Sequence, residues 1–335
     1  MKDLVGAIPV LDIASFQLDE HSPDAQAFVE NLRSVCHEHG FLSLTGHGVA
    51  GNDELQQLAC RFFALPESER LAIANVNSPQ FRGFTPVGHE HTKGHPDRRE
   101  QLDISRELPA RPIGTDEPVW MRLRGPNLWP DRLPELRPAV ESWIDAMESL
   151  GRIMCRALAR ALDQPPDQFA PYFSPHPEVL VKIIHYPPGD TRQEQGVGEH
   201  RDTGLVTFLL QDDTGGLQVR LGEEWVDVPT VPGAFVVNLG EMMQLLTRGY
   251  FAATVHRVVS PLDRDRYSIA YFFNPKLEAT LAPLTLPPAL AAAAPGGESD
   301  DAANPILANY GDNSLKVRLR SHPDVAQRHH ADLLG

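Results

Sequence analysis

Apolar residues recur at the helical period in the first half of the chain and gather into short β-branched runs in the second. Phe28, Leu32, Val35 and Cys36 share one face of a helix that Ser22-Pro23 opens, as cap and first-turn proline, and Gly40 stops. Leu55, Leu58, Phe62 and Phe63 mark a second helix, capped by Asp53 and closed by Leu65-Pro66. After Pro138 a longer stripe of Val140, Ile144, Met147, Gly151, Met154, Leu158 and Leu162 predicts a helix that packs on a sheet and carries no chemistry. Residues 8–13 and 41–44 read as short buried strands.

From Val179 to Phe273 the texture changes. Strands are expected over residues 180–185, 205–210, 217–220, 225–228, 234–239, 254–259 and 267–273, with turns at Gly215-Gly216 and Gly222-Glu223. That count at that spacing implies a β-sandwich or barrel, so the fold class is mostly β with flanking helices, α+β. Between the two halves, residues 75–130 mix Gly, Pro, His and Arg without a period and read as long loops with short structured pieces. Residues 283–301 read as a mobile surface loop. A helix holding Leu315, Val317 and Leu319 follows. The expected organisation is residues 1–174 as a helical and loop region, 175–280 as the β core and 281–335 as a C-terminal loop and helix, all in one unit.

A formal charge of −15 over 335 residues is opposite to the basic footprint of a nucleic-acid binder. Cys36, Cys60 and Cys155 sit in helix-like segments without a disulfide spacing, which suits reduced thiols and a cytoplasmic location. No apolar run approaches the ~20 residues of a membrane span, and the first residues lack the apolar core of a secretory signal. The oligomeric state is left open.

Candidate chemistry centres on Glu199-His200-Arg201-Asp202. On an extended strand His200 and Asp202 leave the same face, and His256 lies downstream in the β-branched run Thr254-Val255-His256-Arg257-Val258-Val259. Two histidines and one carboxylate form the facial set that suits non-haem Fe(II), with three positions left open. His89, His91 and His95 are irregularly spaced on a polar stretch and read as solvent-exposed.

The chain resembles the isopenicillin N synthase-like branch of the Fe(II)/2-oxoglutarate-dependent dioxygenases. The resemblance rests on His200-x-Asp202, His256 and Arg266-x-Ser268; on Tyr186-Pro187-Pro188, Asp213-Thr214-Gly215-Gly216-Leu217-Gln218-Val219 and Pro232-Gly233-Ala234-Phe235; and on Ile8-Pro9-Val10, Gly40-Phe41-Leu42 and His47-Gly48-Val49. It implies a double-stranded β-helix, or jelly roll, with Fe(II) on His200, Asp202 and His256. In such a site 2-oxoglutarate chelates the iron, its far carboxylate meets Arg266, Ser268 and Tyr186, and O2 takes the last position. The implied activity is hydroxylation, desaturation or cyclisation of a small molecule with release of succinate and CO2. Phe81, Arg82 and Phe84 are expected beside the mouth of the site, with Phe208 and Phe273 as further substrate-lining candidates. One departure stands out: Ile184-His185 precede Tyr186 where many plant members have Asn-Tyr, which removes a polar contact to the co-substrate. Alternatives are an Fe(II)/O2 oxidase of the same fold that does not use 2-oxoglutarate, ethylene-type fragmentation of 2-oxoglutarate, and a non-catalytic cupin-like metal-binding or sensor protein. A cupin site would favour His-x-His and a separate glutamate. No nucleic-acid or membrane partner is expected.

Overall fold

β-branched and aromatic residues that alternate with smaller or polar ones build two sheets, each with one face turned to a shared interior. A computed structural model describes residues 8–334 apart from 111–113, 115, 190–194 and 297–303. Its strands are β1 (Val10–Asp12), β2 (Phe41–Thr45), β3 (Gly83–Thr85), β4 (His91–Thr92), β5 (His95–Pro96), β6 (Glu100–Ile104), β7 (Glu178–Tyr186), β8 (Gln195–His200), β9 (Val206–Gln211), β10 (Leu217–Leu221), β11 (Glu224–Asp227), β12 (Phe235–Leu239), β13 (His256–Val259) and β14 (Arg266–Asn274). The helices are α1 (Ala14–Leu18), α2 (Pro23–Glu38), α3 (Asn52–Phe63), α4 (Glu67–Ala72), α5 (Leu136–Ala161), α6 (Glu241–Leu246), α7 (Pro288–Ala293), α8 (Tyr310–Ser321) and α9 (Pro323–His329).

The major sheet runs β1-β2-β12-β9-β14-β7-β6-β3 and the minor sheet β11-β10-β13-β8. Among the described residues only β1 and β2 pair in parallel in these two sheets; the remaining ladders are antiparallel. Ile184, Tyr186, Val236 and Ala270 of the major sheet meet Val197, Leu217, Val219 and Val258 of the minor one in a buried cluster. The opposite face of the major sheet packs on helices. Ile269, Tyr271 and Phe273 of β14 belong to a separate core with Trp143, Met147, Leu150 and Met154 of α5. Trp143 meets Tyr271 edge-on, with ring centroids 5.7 Å apart.

Local signals explain where α2 and α3 begin. Ser22 Oγ accepts from the Ala25 amide at 3.1 Å and Pro23 starts α2. For α3 the cap is Gly51, at φ +84°, and Asp53 sits in the first turn, where its charge favours the helix dipole. The first 104 residues do more than the expected helical packing, because β1, β2, β3 and β6 are strands of the major sheet itself. Besides the short β4–β5 pair, residues 75–130 thus hold two strands of the major sheet that their composition concealed: β3 is three residues long, and β6 turns polar Gln101 and Asp103 to the interior, both fully buried. Within 283–301, residues 288–293 form α7, and 297–301 fall outside the described residues. Among the described residues no helix is long and apolar enough to cross a membrane.

Helix α5 approaches the sheet closely at Gly151, where an added Cβ would stand 2.5 Å from Phe273 Cδ2. Gly151→Ala should therefore destabilise the protein by about 1–3 kcal/mol through overpacking, read as a lower denaturation midpoint with unchanged slope.

Candidate metal centre

His200 ends β8 and His256 begins β13, and the two residues pair across the minor sheet. Their ring centroids lie 4.2 Å apart. Asp202 falls two residues past the end of β8, so the expected extended His-x-Asp pair is a strand end followed by a turn. The turn is held because the Glu241 amide, at the head of α6, donates to the Asp202 carbonyl at 2.7 Å. Asp202 Oδ1 lies 3.6 Å from His200 Nε2 and 3.7 Å from His256 Nε2. One ligand atom from each of the three residues falls within 4.8 Å of the others.

The remaining polar atoms of the trio are already engaged. His200 Nδ1 lies 2.8 Å from the Gly198 carbonyl and His256 Nδ1 lies 3.1 Å from the Thr254 carbonyl. Donation from Nδ1 leaves both Nε2 lone pairs pointing at the common centre. Asp202 Oδ2 accepts from the Thr207 hydroxyl at 2.5 Å and from Asn238 Nδ2 at 2.7 Å, which leaves Oδ1 free. The donor set therefore fits Fe(II), with two imidazole nitrogens and one carboxylate oxygen available. Despite burial, His256 and His200 hold the Asp202 carboxyl far below its usual range. Burial, with His200 alongside, lowers His256 to about 4; against the same burial, Asp202 raises His200.

A small cavity of about 60 Å³ runs from this trio to Arg266, Ser268 and Tyr186. The β7–β14 register sets Tyr186 opposite Arg266 and Ile184 opposite Ser268, so all four share the interior face. Arg266 is fully buried. Its Nη1 donates to Ser268 Oγ at 3.2 Å, its Nη2 to Gln211 Oε1 at 3.4 Å, and its guanidinium stands 4.7 Å from the centre of the Tyr186 ring.

A larger cavity of about 620 Å³ opens beyond the trio. Arg82 lines it, but Phe81, Phe84, Phe208 and Phe273 line neither cavity. Phe81 stacks on His330, Phe84 meets Phe62, and Phe208 and Phe273 sit in the helix-side core. For the two sheet residues the reason is parity. Arg266, Ser268, Ala270 and Phe272 leave one face of β14, so Phe272 reaches the cavity and Phe273 cannot. By the same rule Thr207 and Leu209 face inward on β9, and Phe208 faces the helices. His91, expected as exposed, is half-buried and lines the larger cavity, while His89 and His95 are exposed.

Sequence reasoning left Thr207 unnoticed and gave Asn238 no task. Asn238 could have been found by counting, since it shares the parity of inward Val236 on β12. The charged wall of the larger cavity was not visible at all. Lys182 Nζ lies 3.0 Å from both Glu90 Oε1 and Asp103 Oδ2, Arg318 of α8 lies 2.6 Å from Asp103, and Arg99 lies 2.8 Å from Glu90. His322 Nε2 stands 3.5 Å from Glu90.

A jelly roll with two imidazoles and a carboxylate around a buried point, next to a cavity ending in an arginine, defines a non-haem iron oxygenase site. The chain belongs to the 2OG-Fe(II) oxygenase superfamily. The model of that superfamily matches residues 175–275, and the model for the N-terminal region of a non-haem dioxygenase in morphine synthesis matches residues 8–132. The chain is 35% identical to the 2-oxoglutarate-dependent dioxygenase frbJ of Dothideomycetidae sp. (strain 11243), over 96% of this chain and 91% of the other. It is 32% identical to the homoarginine-6-hydroxylase 2-ODD-C23.1 of Arabidopsis thaliana, over 84% and 88%. Its fold is similar to that of a solved 2OG-Fe(II) oxygenase family protein from Caulobacter crescentus, with TM-score 0.72, 27% identity and coverage of 94% and 98%. The protein is an Fe(II)- and 2-oxoglutarate-dependent oxygenase of jelly-roll fold.

His322 is fully buried, and burial lowers its pKa to about 4 against the pull of Glu90. The unfolded chain binds this proton near pH 6.5 and the folded one does not, so stability is fully present above pH 6.5 and falls between 6.5 and 4. The loss from this group should be on the order of 3 kcal/mol. His322→Gln should flatten that part of the stability–pH curve, measured by denaturant melts; His256 shares the window in the iron-free protein and keeps part of the slope.

Proposed function

We propose that His200, Asp202 and His256 hold the Fe(II), and that Arg266, Ser268 and Tyr186 receive the far carboxylate of 2-oxoglutarate. The observation that carries this reading is that Nε2, Nε2 and Oδ1 are the three uncommitted atoms of the trio and point at one centre. Three ligands with a net charge of −1 leave the site at +1, which attracts a dianionic co-substrate. Arg266, anchored by Gln211 and by Tyr186, meets one carboxylate with its planar edge, and the Ser268 hydroxyl adds a donor. With 2-oxoglutarate and dioxygen bound, the iron supplies the oxidation of a substrate C–H bond, with release of succinate and CO2. The residues of the chain bind, orient and exclude water, and the position in which they hold the substrate decides the product.

The substrate is a small polar molecule of amino-acid type, and hydroxylation is the reaction. Two observations support this: both signs of charge reach the larger cavity, in Glu178, Glu241, Arg82 and Arg318, and relatives such as 2-ODD-C23.1 are named for hydroxylation of homoarginine. A reducing, cytoplasmic setting is supported by three free cysteines, two of them buried. One folding unit is the consistent reading of the domain organisation, because strands from the first 104 residues lie in the same sheet as β14.

His200→Ala should abolish both Fe(II) binding and succinate release. Arg266→Ala should leave Fe(II) bound and weaken 2-oxoglutarate by about 10–100-fold, the worth of a charge-assisted pair. An anaerobic titration watched at the visible charge-transfer band checks both, and full activity in His200→Ala would overturn the assignment.

A further inference from the structure

Ile184 faces the small cavity beside the metal trio and offers no hydrogen bond to a ligand there. The carboxylate at the metal end would be paired in charge by Fe(II), but its oxygen turned away from the metal, once buried, still needs a hydrogen-bond donor. Two further cations line that cavity, Lys182 and Arg99. Lys182 Nζ lies within 3.3 Å of all four carboxylate oxygens of Glu90 and Asp103, so its donors are committed.

Arg99 differs. Its side chain is 10% exposed and lines both cavities, the small one at the trio and the large one beyond. Nη2 alone makes the contacts to Glu90 and Asp97, at 2.8 and 3.3 Å, and the buried Nε has no hydrogen-bond partner among the described residues. Register places it. Gln101 of β6 pairs with Ile184 and Glu100 with His185, and Arg99, one residue before the strand, has the parity of inward Gln101. Asp97 fixes the arginine to the metal strand, because its Oδ1 accepts from the Gly198 amide at 3.2 Å and from Gln195 at 2.8 Å. Gly198 is also the residue whose carbonyl orients His200. Two buried acids thus hold the guanidinium through Nη2, and the residue stands where the two cavities meet.

We propose that Arg99 donates to the carboxylate of 2-oxoglutarate nearest the metal, supplying the contact that Ile184 cannot. The inference rests on the assignment of Arg266 to the far carboxylate. It separates from that assignment through a keto acid without a far carboxylate, 2-oxopentanoate.

The test is an anaerobic titration of the full-length Fe(II) protein with each keto acid, read at the charge-transfer band, with Fe(II) affinity measured separately. Arg99→Gln should weaken both keto acids by about 10–100-fold and shift the band while Fe(II) affinity holds, whereas Arg266→Ala should weaken 2-oxoglutarate alone. Adding Ile184→Asn to Arg99→Gln should recover part of the loss. Should Arg99→Gln lose Fe(II) or melt early, Arg99→Lys, which keeps a cation for Glu90 and Asp97, carries the test: both keto acids weakened roughly two- to tenfold supports the role. Unchanged binding of both keto acids in the variant that retains Fe(II) overturns it. A wild-type protein that forms no band with 2-oxoglutarate would instead sink the assignment of the co-substrate site.

Discussion

The carboxylate of Asp202 joins the two sheets. One oxygen faces the imidazoles of His200 and His256 on the minor sheet, and the other is gripped by Thr207 of β9 and Asn238 of β12 on the major sheet. A carboxylate so divided cannot rotate without breaking two buried hydrogen bonds, so the oxygen offered to a metal is fixed before any metal arrives. The site is preorganised by the same contacts that set the spacing of the sheets at this level.

The larger cavity follows a different logic. Arg99, Lys182 and Arg318 meet Glu90, Asp97 and Asp103 in one buried network, three charges against three. Buried pairs of this kind are poor sources of net stability, because desolvation cancels much of the attraction. Their effect here is geometric. They bind β6, β7 and α8 into one wall and present fixed donors and acceptors to whatever enters. An apolar wall would be easier to build and would discriminate less against a substrate lacking polar groups.

The helix-side core is insulated from this chemistry by strand alternation. Ile269, Tyr271 and Phe273 pack on α5 while Ser268, Ala270 and Phe272 face the interior, so one strand serves structure and function on opposite faces. A change such as Gly151→Ala acts on stability from one side of the sheet without touching a polar group on the other.

Much of this was legible in the residues alone. The β-rich second half, the α5 stripe, and the His200-x-Asp202 and Arg266-x-Ser268 spacings depend on periodicity or short-range order, which a sequence states directly; distant His256 joined them through the chain's resemblance to a known family. The face assignment of Phe272 over Phe273 was also present, as a count of two from Arg266. Other features required the fold. Strand β6 hides its nature because Gln101 and Asp103 point inward, inverting the usual reading of polar residues. The ionic wall joins Glu90, Asp103, Lys182, Arg318 and His322, which are separated by as many as 232 positions, and no local pattern links them. Sequence alone determines what each side chain can do and which neighbours share its face; long-range pairing decides which charges meet, because register between distant strands is a property of the closed sheet and of no single segment.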